Sequence, residues 1–229
     1  MNVNVLIVGG SSGLGLEIGK LLLKSGATVC VTGRSPRFIP QEFQFMRLDI
    51  TDDLGMLARE LDDKLVQLAP TDLLVYAAGF FERGRIAELL DTHIVRMINV
   101  GLTAPAFILR RIIRRQESLE GFIAVTSTSQ WIPREWEPVY AAVKAGLAMF
   151  AQSVSLDRRV KKTLVVGPAG MNTNFWTNAG RDDTHTLLHP RLVGEQILRL
   201  WNGNYTYRLA RILRDPTPES KRVQILETR

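Results

Sequence analysis

Apolar runs of strand length alternate along the chain with longer segments in which apolar residues recur at helical spacing. The first run, residues 3–8, ends at a pair of glycines and is typical of a strand buried on both faces, as in parallel sheets. The next segment, residues 13–25, carries leucine and isoleucine on one helical face and stops at Gly26. The start of the chain therefore predicts a strand followed by a helix.

The same alternation continues over most of the chain. Further strands are predicted at residues 27–32, 43–48, 73–76, 122–126 and 163–166, and helices at residues 52–68, 92–116, 139–160 and 190–201. Such alternation forms βαβ units with right-handed crossovers. No linker, repeat or low-complexity stretch interrupts it. The pattern predicts one α/β domain over residues 1–229, with a doubly wound parallel sheet and helices on both faces.

Regular periodicity fades after Gly167. Residues 168–189 are rich in Pro, Gly, Asn and Thr, and a loop of this length is usually functional or disordered. We expect residues 174–189 to form a lid over a substrate, with His185 and His189 as lid or surface residues rather than catalytic ones. The basic segment 202–229 shows no obvious strand.

A glycine-rich segment follows the first predicted strand and opens the first helix. It consists of Gly9, Gly10, Ser11, Ser12, Gly13, Leu14 and Gly15. Glycines permit a tight turn and a close backbone approach to a pyrophosphate, and the helix N-terminus offers free N–H groups to the phosphates. Its place between strand and helix favours a dinucleotide site over a tight turn that binds nothing.

The end of the second predicted strand indicates which dinucleotide binds. An acidic residue there would hold the ribose hydroxyls of NAD, whereas an arginine attracts the 2′-phosphate of NADP. Here Gly33 leaves room and Arg34 supplies charge, which predicts NADP(H). Arg34 could instead face solvent, and Arg37 is a weaker second candidate. Asp49 follows the third strand, where it could also cap the next helix.

Two residues four positions apart on a predicted helix, Tyr140 and Lys144, lie on one helical face. A tyrosine has a reference pKa of about 10, and a neighbouring ammonium group stabilises the phenolate, as a general acid/base requires. The pair alone could be two unrelated residues. Ser127 stands 13 residues earlier, at the carboxyl end of a strand, where ligands bind in open α/β sheets. Asn99 lies within the long predicted helix.

Together, the glycine spacing and the set Asn99, Ser127, Tyr140 and Lys144 resemble the short-chain dehydrogenase/reductase family, from Val3 to about Thr173. The resemblance implies a Rossmann-like fold and an NADP(H)-dependent oxidoreductase that interconverts a carbonyl and a secondary alcohol on a small molecule. It implies that Tyr140 exchanges the proton, Lys144 tunes Tyr140 and holds the nicotinamide ribose, Ser127 polarises the substrate oxygen, and Asn99 holds a water linked to Lys144. Ser129 is a rival to Ser127 with a less suitable spacing.

The resemblance also implies further cofactor contacts. Asp49 and Ile50 resemble the adenine-contacting pair, Ala78 and Gly79 keep small residues beside the cofactor, and Pro168, Met171 and Thr173 resemble the segment at the nicotinamide carboxamide. The full predicted cofactor set is Gly9, Ser11, Ser12, Gly13, Leu14, Gly15, Arg34, Asp49, Ile50, Ala78, Gly79, Tyr140, Lys144, Pro168, Met171 and Thr173.

Two positions depart from the family pattern. Tyr76 replaces an asparagine that helps to tie the central sheet, so we expect a compensating interaction there. Ala169 replaces a glycine, which puts the geometry of that loop in question. Five loop aromatics would form either an apolar substrate wall or ordinary loop packing: Phe80, Trp131, Trp136, Phe175 and Trp176.

Composition narrows the remaining classes. A formal net charge of +6 without any nucleic-acid motif favours a solvated surface over nucleic-acid binding. Three scattered histidines predict no metal site. One cysteine, Cys30, excludes an internal disulfide and favours the cytoplasm; no signal peptide or membrane-spanning run is expected.

Assembly and mechanism leave alternatives open. The resemblance implies a homodimer through the helices predicted at 92–116 and 139–160; family tetramers also use a C-terminal strand, which this tail lacks. A non-catalytic NADP-sensing regulator on the same fold is the alternative function, although a sensor has no chemical need for the Tyr140–Lys144 pair. An epimerase or dehydratase is a further alternative among enzymes.

Overall fold

The computed structural model describes residues 3–175, 186–214 and 222–229. Eight strands lie in this part of the chain: β1 (Asn4–Val8), β2 (Thr28–Gly33), β3 (Gln44–Arg47), β4 (Leu73–Tyr76), β5 (Gly121–Val125), β6 (Thr163–Pro168), β7 (Tyr207–Ile212) and β8 (Val223–Thr228). The helices are α1 (Gly13–Lys24), α2 (Leu54–Leu65), α3 (Asp91–Ile98), α4 (Ala104–Gln116), α5 (Pro138–Val154) and α6 (Pro190–Trp201).

The strands form one sheet in the order β3-β2-β1-β4-β5-β6-β7-β8. All neighbouring pairs are parallel except β7 and β8. The strand order reverses between β1 and β4, which opens a crevice at their carboxyl ends. The predicted fold class is confirmed.

Alternating residues of the strands build a core on each face of the sheet. Leu6 packs into one core with Leu57 of α2, Ile108 of α4 and Leu147 of α5. Ile7 packs into the other core with residues of α1 and α6. Because both faces are covered, the strands are apolar at successive positions rather than at every second one, which explains the continuous runs in the sequence.

The C-terminal segment corrects one expectation. It forms β7, which pairs in parallel with β6, and β8, which pairs antiparallel with β7. Tyr207, Ala210 and Ile212 of β7 are buried, but Arg208 and Arg211 interrupt the apolar pattern. The pairing register with β8 also shifts between Leu209 and Ala210, and burial along β7 does not alternate strictly, so strand periodicity was hidden in the sequence.

The long helical segment corrects the expectation that no apolar run is long enough to span a membrane. Asp91–Gln116 has 26 residues and a mean hydropathy of 1.3 over its most apolar 18-residue window, so by length and composition it could cross a membrane. In the structure Ile108, Leu109 and Ile112 of this segment pack in the core beside the sheet. A buried core helix meets the same length and composition criterion.

Candidate active site

A cavity of about 670 Å³ lies at the carboxyl ends of the parallel strands. Every residue of the predicted cofactor set lines it, and so does Ser127. Asn99 lies outside the lining. The turns after β1 to β6 all contribute residues, because parallel strands present their carboxyl ends at one edge of the sheet.

The glycine-rich turn fits a diphosphate. Gly9 has φ +81°, and a Cβ there would lie 2.6 Å from the backbone of Ala78. A Cβ on Gly15 would lie 2.3 Å from the carbonyl oxygen of Gly9. Ser12, the N-cap of α1, makes no side-chain bond to the first turn. The backbone N–H groups of that turn are therefore available to an anionic ligand at the positive end of the helix.

The end of β2 differs in one detail from the expectation. Arg34 lines the cavity and is exposed. The space above Gly33 is occupied by Ser11, whose Oγ would lie 2.0 Å from a Cβ built on Gly33. Glycine at 33 thus admits a hydroxyl beside Arg34 rather than leaving empty room. Arg37 lies over the ring of Phe38, with 5.4 Å to the centroid, and does not line the cavity.

Asp49 lines the cavity, and the alternative that it caps a helix is wrong. Asp53 caps α2 by accepting a bond of 2.8 Å from the N–H of Met56. Asp49 instead lies 3.8 Å from Arg96, which sequence reasoning missed. Arg96 also lines the cavity and lies 4.7 Å from the ring centroid of Phe80. Arg96 lies one helical turn before Asn99, and this spacing could have identified it as a site residue.

Tyr140 and Lys144 are both buried at the start of α5, which begins with Pro138 in its first turn. The Lys144 ammonium donates to the carbonyl of Val125 at 3.2 Å and lies 5.7 Å from the centroid of the Tyr140 ring. Burial lowers the pKa of Lys144 to about 8. Burial also raises the pKa of Tyr140, because desolvation of the phenolate outweighs the favourable bond to Ser127.

Ser127 is the N-cap of a short 3₁₀ helix, Thr128–Gln130. Its Oγ accepts a bond of 3.1 Å from the N–H of Ser129, and the two hydroxyl oxygens are 3.3 Å apart. The Ser129 hydroxyl donates to Glu137 at 2.8 Å. Ser127 therefore lies beside Tyr140. Ser129 instead bonds to Glu137, a residue that the sequence analysis did not identify. Glu137 lies one helical turn before Tyr140, and that spacing was the available signal.

Asn99 begins one turn of π-helix, Asn99–Thr103, between α3 and α4. It is buried, and its amide donates to the carbonyl of Thr51 at 3.1 Å. The N–H of Ala104 bonds to the carbonyl of Asn99, and the next residue, Pro105, has no N–H to offer to Val100. Tyr76, fully buried, donates its hydroxyl proton to that Val100 carbonyl. This bond is the compensation expected at position 76.

Ala169 fits its loop without backbone strain. Its N–H donates to the carbonyl of Ile212 at 2.8 Å, and among the described residues only Glu117 is a non-glycine with positive φ. The loop continues through a bridge between Met171 and Leu188. A Cβ on Gly13 would lie 3.3 Å from the Thr173 side chain, so the loop closes against the glycine-rich turn.

The aromatic residues divide into two groups. Phe80 and Phe175 line the cavity, together with Phe81, which the sequence did not single out. The Phe81 ring meets Tyr140 edge-on at 5.0 Å between centroids and stacks on Phe175 at 5.8 Å. These rings form an apolar wall around the Tyr140 phenol.

The two described tryptophans of the predicted wall do not line the cavity. Trp131 packs against Gly167, and the guanidinium groups of Arg83 and Arg85 lie 4.5 and 4.4 Å from the Trp136 ring centroid, so ordinary loop packing accounts for both. Trp176, His185 and most of the predicted lid 174–189 lie outside the described residues. His189 accepts a bond from the N–H of Arg191 at the start of α6. No group of metal-binding side chains occurs among the described residues.

An open α/β sheet that places a phosphate-binding turn and an ionisable tyrosine–lysine pair in one cavity is the architecture of the nucleotide-dependent oxidoreductases. A family model described as short chain dehydrogenase matches residues 3–184. The chain belongs to the short-chain dehydrogenase/reductase family of oxidoreductases.

Individual proteins agree with this assignment. An oxidoreductase of Bacillus subtilis, DltE, described as uncharacterized, is 29% identical over 178 residues, which cover 72% of this chain and 68% of DltE. The 3-oxoacyl-acyl-carrier-protein reductase FabG of Chlamydia pneumoniae is 27% identical over 167 residues, 67% of this chain and 66% of FabG. The match thus spans about two thirds of these relatives. A closed form of serine dehydrogenase complexed with NADP⁺ superposes with a TM-score of 0.78 at 19% identity, over 90% of this chain and 94% of that one.

Proposed function

We propose that this protein is an NADP(H)-dependent reductase or dehydrogenase that interconverts a carbonyl and a secondary alcohol on a small organic substrate. The observation that carries the proposal is the meeting of Ser127, Tyr140 and Lys144 with the glycine-rich turn at one cavity. The overall reaction balances as carbonyl, NADPH and a proton giving alcohol and NADP⁺.

The protein's own residues supply proton transfer and orientation. The nicotinamide, when bound, supplies or accepts the hydride at the carbonyl carbon. Tyr140 gives its hydroxyl proton to the carbonyl oxygen in reduction and takes it back in oxidation. Ser127 donates a hydrogen bond to the same oxygen. Lys144 holds the nicotinamide ribose, and its positive charge stabilises the Tyr140 phenolate as it forms. Phe81 and Phe175 exclude water around the phenol.

The preference for NADP(H) over NAD(H) rests on the end of β2. Arg34 provides the charge, and the Ser11 hydroxyl held over Gly33 provides a neutral donor beside it, which together suit a 2′-phosphate. The neighbouring serine dehydrogenase structure, crystallised with NADP⁺, supports the same cofactor class. Asp49 and Arg96 lie where the adenine would bind.

A fluorescence titration with NADPH and NADH tests the cofactor assignment. We expect wild-type protein to bind NADPH roughly tenfold or more tightly than NADH. Arg34→Ala should remove most of this difference in affinity, because a charge-assisted contact with the phosphate is lost. Arg37→Ala is the matched control, since Arg37 lies outside the cavity, and it should bind as wild type does. Equal binding of both cofactors by the wild type would refute the NADP(H) preference.

A screen of carbonyl compounds with NADPH tests the reaction. Tyr140→Phe keeps the ring contacts with Phe81 and Phe175 but removes the exchangeable proton. We expect this variant to bind NADPH and to reduce nothing. Cofactor binding without turnover of any compound by the wild type would instead favour the NADP-sensing regulator.

We also propose that the protein acts as a homodimer in the cytoplasm. Val95 and Ile98 of α3 and Met149 of α5 are apolar and exposed, and these helices pack against each other. A second copy that covers this face would bury them.

Sedimentation analysis of wild type and Met149→Glu tests the dimer: a monomeric wild type would contradict it. Addition of copies at the exposed edge of β8 would give a tetramer.

A further inference from the structure

The cavity contains a carboxylate that the proposed reaction does not use. Glu137 is the N-cap of α5, yet its side chain makes no capping bond to the first turn of that helix. The side chain instead lines the cavity and is only 15% exposed. A carboxylate that is largely removed from water loses free energy of hydration unless hydrogen bonds or a ligand replace the water. Support of the helix therefore does not explain where the Glu137 side chain lies.

Glu137 lies close to the group that holds the substrate oxygen in the proposed reaction. Its Oε2 accepts a hydrogen bond of 2.8 Å from the Ser129 hydroxyl, and the Ser129 oxygen is 3.3 Å from the Ser127 oxygen. The carboxylate is thus within two hydrogen-bond lengths of Ser127, and all three residues line the same cavity. A polar substituent on the carbon next to the carbonyl can therefore reach Glu137 while Ser127 holds the carbonyl oxygen.

A guanidinium group accompanies this carboxylate. Nε of Arg134 lies 3.6 Å from Oε2 of Glu137, beyond the length of a direct hydrogen bond, and Arg134 also lines the cavity. In the described part of the chain, neither Oε1 of Glu137 nor the guanidinium of Arg134 has a hydrogen-bond partner. The pair therefore brings an open acceptor and open donors to the same part of the cavity.

A neutral hydroxyl group suits this pair better than a charged or apolar group does. A carboxylate only accepts and a guanidinium only donates, so one hydroxyl can donate to Glu137 and accept from Arg134. A substrate carboxylate would meet the negative charge of Glu137, and a substrate ammonium group would meet the positive charge of Arg134. An alkyl group would leave Glu137 without water and without a partner, which is costly.

The side chains that pack on Tyr140 suit a different part of the substrate. Phe81 and Phe175 place their rings against the phenol, and Met97 lies in the same apolar cluster. Such side chains favour an apolar group and make no hydrogen bond that could select a hydroxyl group. A ketone with an aryl or alkyl group on one side of the carbonyl and a hydroxymethyl group on the other would use both surfaces.

We propose that Glu137 and Arg134 recognise a hydroxyl group on the carbon next to the reacting carbonyl, so that the substrate is an α-hydroxy ketone. This substrate class rests on the proposed function, because Ser127 and Tyr140 must hold the carbonyl oxygen. In reduction the hydride of NADPH adds to the carbonyl carbon and the proton of Tyr140 goes to the oxygen. The products are a vicinal diol and NADP⁺, and the reverse reaction oxidises one hydroxyl group of the diol.

Four aryl ketones that differ only in the second group on the carbonyl test the substrate class: α-hydroxyacetophenone, acetophenone, α-aminoacetophenone and phenylglyoxylate. With NADPH, we expect the wild type to show the highest kcat/KM for the hydroxy ketone, because a site that binds a hydroxyl group rejects analogues that lack it. Glu137→Ala should lower the preference for the hydroxy ketone over acetophenone by roughly tenfold or more, the effect of losing a hydrogen bond to a charged group. Comparing the same ratio between proteins removes the intrinsic reactivity of each ketone.

The matched control is Glu135→Ala. It removes the same charge from an exposed side chain that pairs with Arg85 and does not line the cavity, so the preference should stay as in wild type. Arg134→Met removes the donor half of the pair at an exposed position and should also lower the preference. It provides a second test if circular dichroism shows that Glu137→Ala does not fold.

Binding without turnover separates this substrate class from the proposed function. Saturation-transfer NMR with NADP⁺, which cannot reduce a ketone, reports binding of the same four compounds. We expect the hydroxy ketone to bind in preference to the other three and to lose this preference in Glu137→Ala. If the wild type binds it in this way but reduces none of the four, the proposed function fails while the hydroxyl site stands. A wild type that does not prefer the hydroxy ketone, or a preference that Glu137→Ala and Arg134→Met leave unchanged, would overturn the proposal.

Discussion

The hydroxyl of Tyr76 supports a buried carbonyl that the backbone cannot satisfy. One turn of π-helix at Asn99 assigns the N–H of Ala104 to Asn99, and Pro105 has none to give, so Val100 depends on Tyr76 for a donor. Tyr76→Phe keeps the ring, which is fully buried, and removes only the hydroxyl. We expect this variant to lose about 1–3 kcal/mol of stability, the cost of leaving a buried polar group unpaired.

Urea unfolding followed by circular dichroism gives the free energy directly, and thermal unfolding should show Tm lowered by about 2–4 °C for each kcal/mol in a chain of this size. Tyr205→Phe is the matched control. Its hydroxyl donates to the Leu200 carbonyl at 3.0 Å, but Arg208 also donates to that carbonyl at 2.7 Å. The control should therefore lose clearly less. If Tyr76→Phe is as stable as wild type, Val100 has another donor and our account of position 76 is wrong.

Two further variants test the packing of the turn and the burial of the lysine. Gly15→Ala should abolish cofactor binding and lower the free energy of unfolding by about 1–3 kcal/mol, because its Cβ would lie 2.3 Å from the Gly9 oxygen. The control Gly194→Ala, whose Cβ meets only ordinary contacts, should leave stability nearly unchanged. A Gly15→Ala protein that binds NADPH normally would contradict the close approach. Lys144 has its pKa lowered by burial to about 8 from 10.5, so between these values the unfolded chain binds more protons and stability rises with pH by up to about 1.4 kcal/mol per unit. Unfolding measured at pH 8 and 9.5 should show this rise in wild type relative to Lys144→Met, and parallel curves for the two proteins would be evidence against it.

The sequence by itself determined the elements and the chemistry of the site. Apolar runs located β1 to β6 within one or two residues, because the inner strands are buried on both faces and must be largely apolar. The glycine-rich turn could be predicted because a backbone that approaches a ligand closely admits no side chain. The spacing of Tyr140 and Lys144 could be predicted because one helical turn puts both on the same face.

Boundaries that depend on local capping were less predictable. The helix predicted to reach residue 160 ends at Val154, followed by a series of tight turns, and α2 begins after Asp53 rather than at Asp52. The long helix contains a turn of π-helix at Asn99 that no periodicity indicates. Such details depend on a few hydrogen bonds, each small compared with the burial that defines the element.

Tertiary structure decided which distant residues meet. Strand β7 forms despite its arginines because β6 offers an edge with which to pair. Trp131 packs against Gly167 and Trp136 against two arginines, and neither lines the cavity. Tyr76 finds Val100, 24 residues away, only through the packing of the sheet against the helices. Glu137 meets Ser129 across a loop. Contacts of this kind depend on the relative placement of whole segments, which local sequence patterns do not encode.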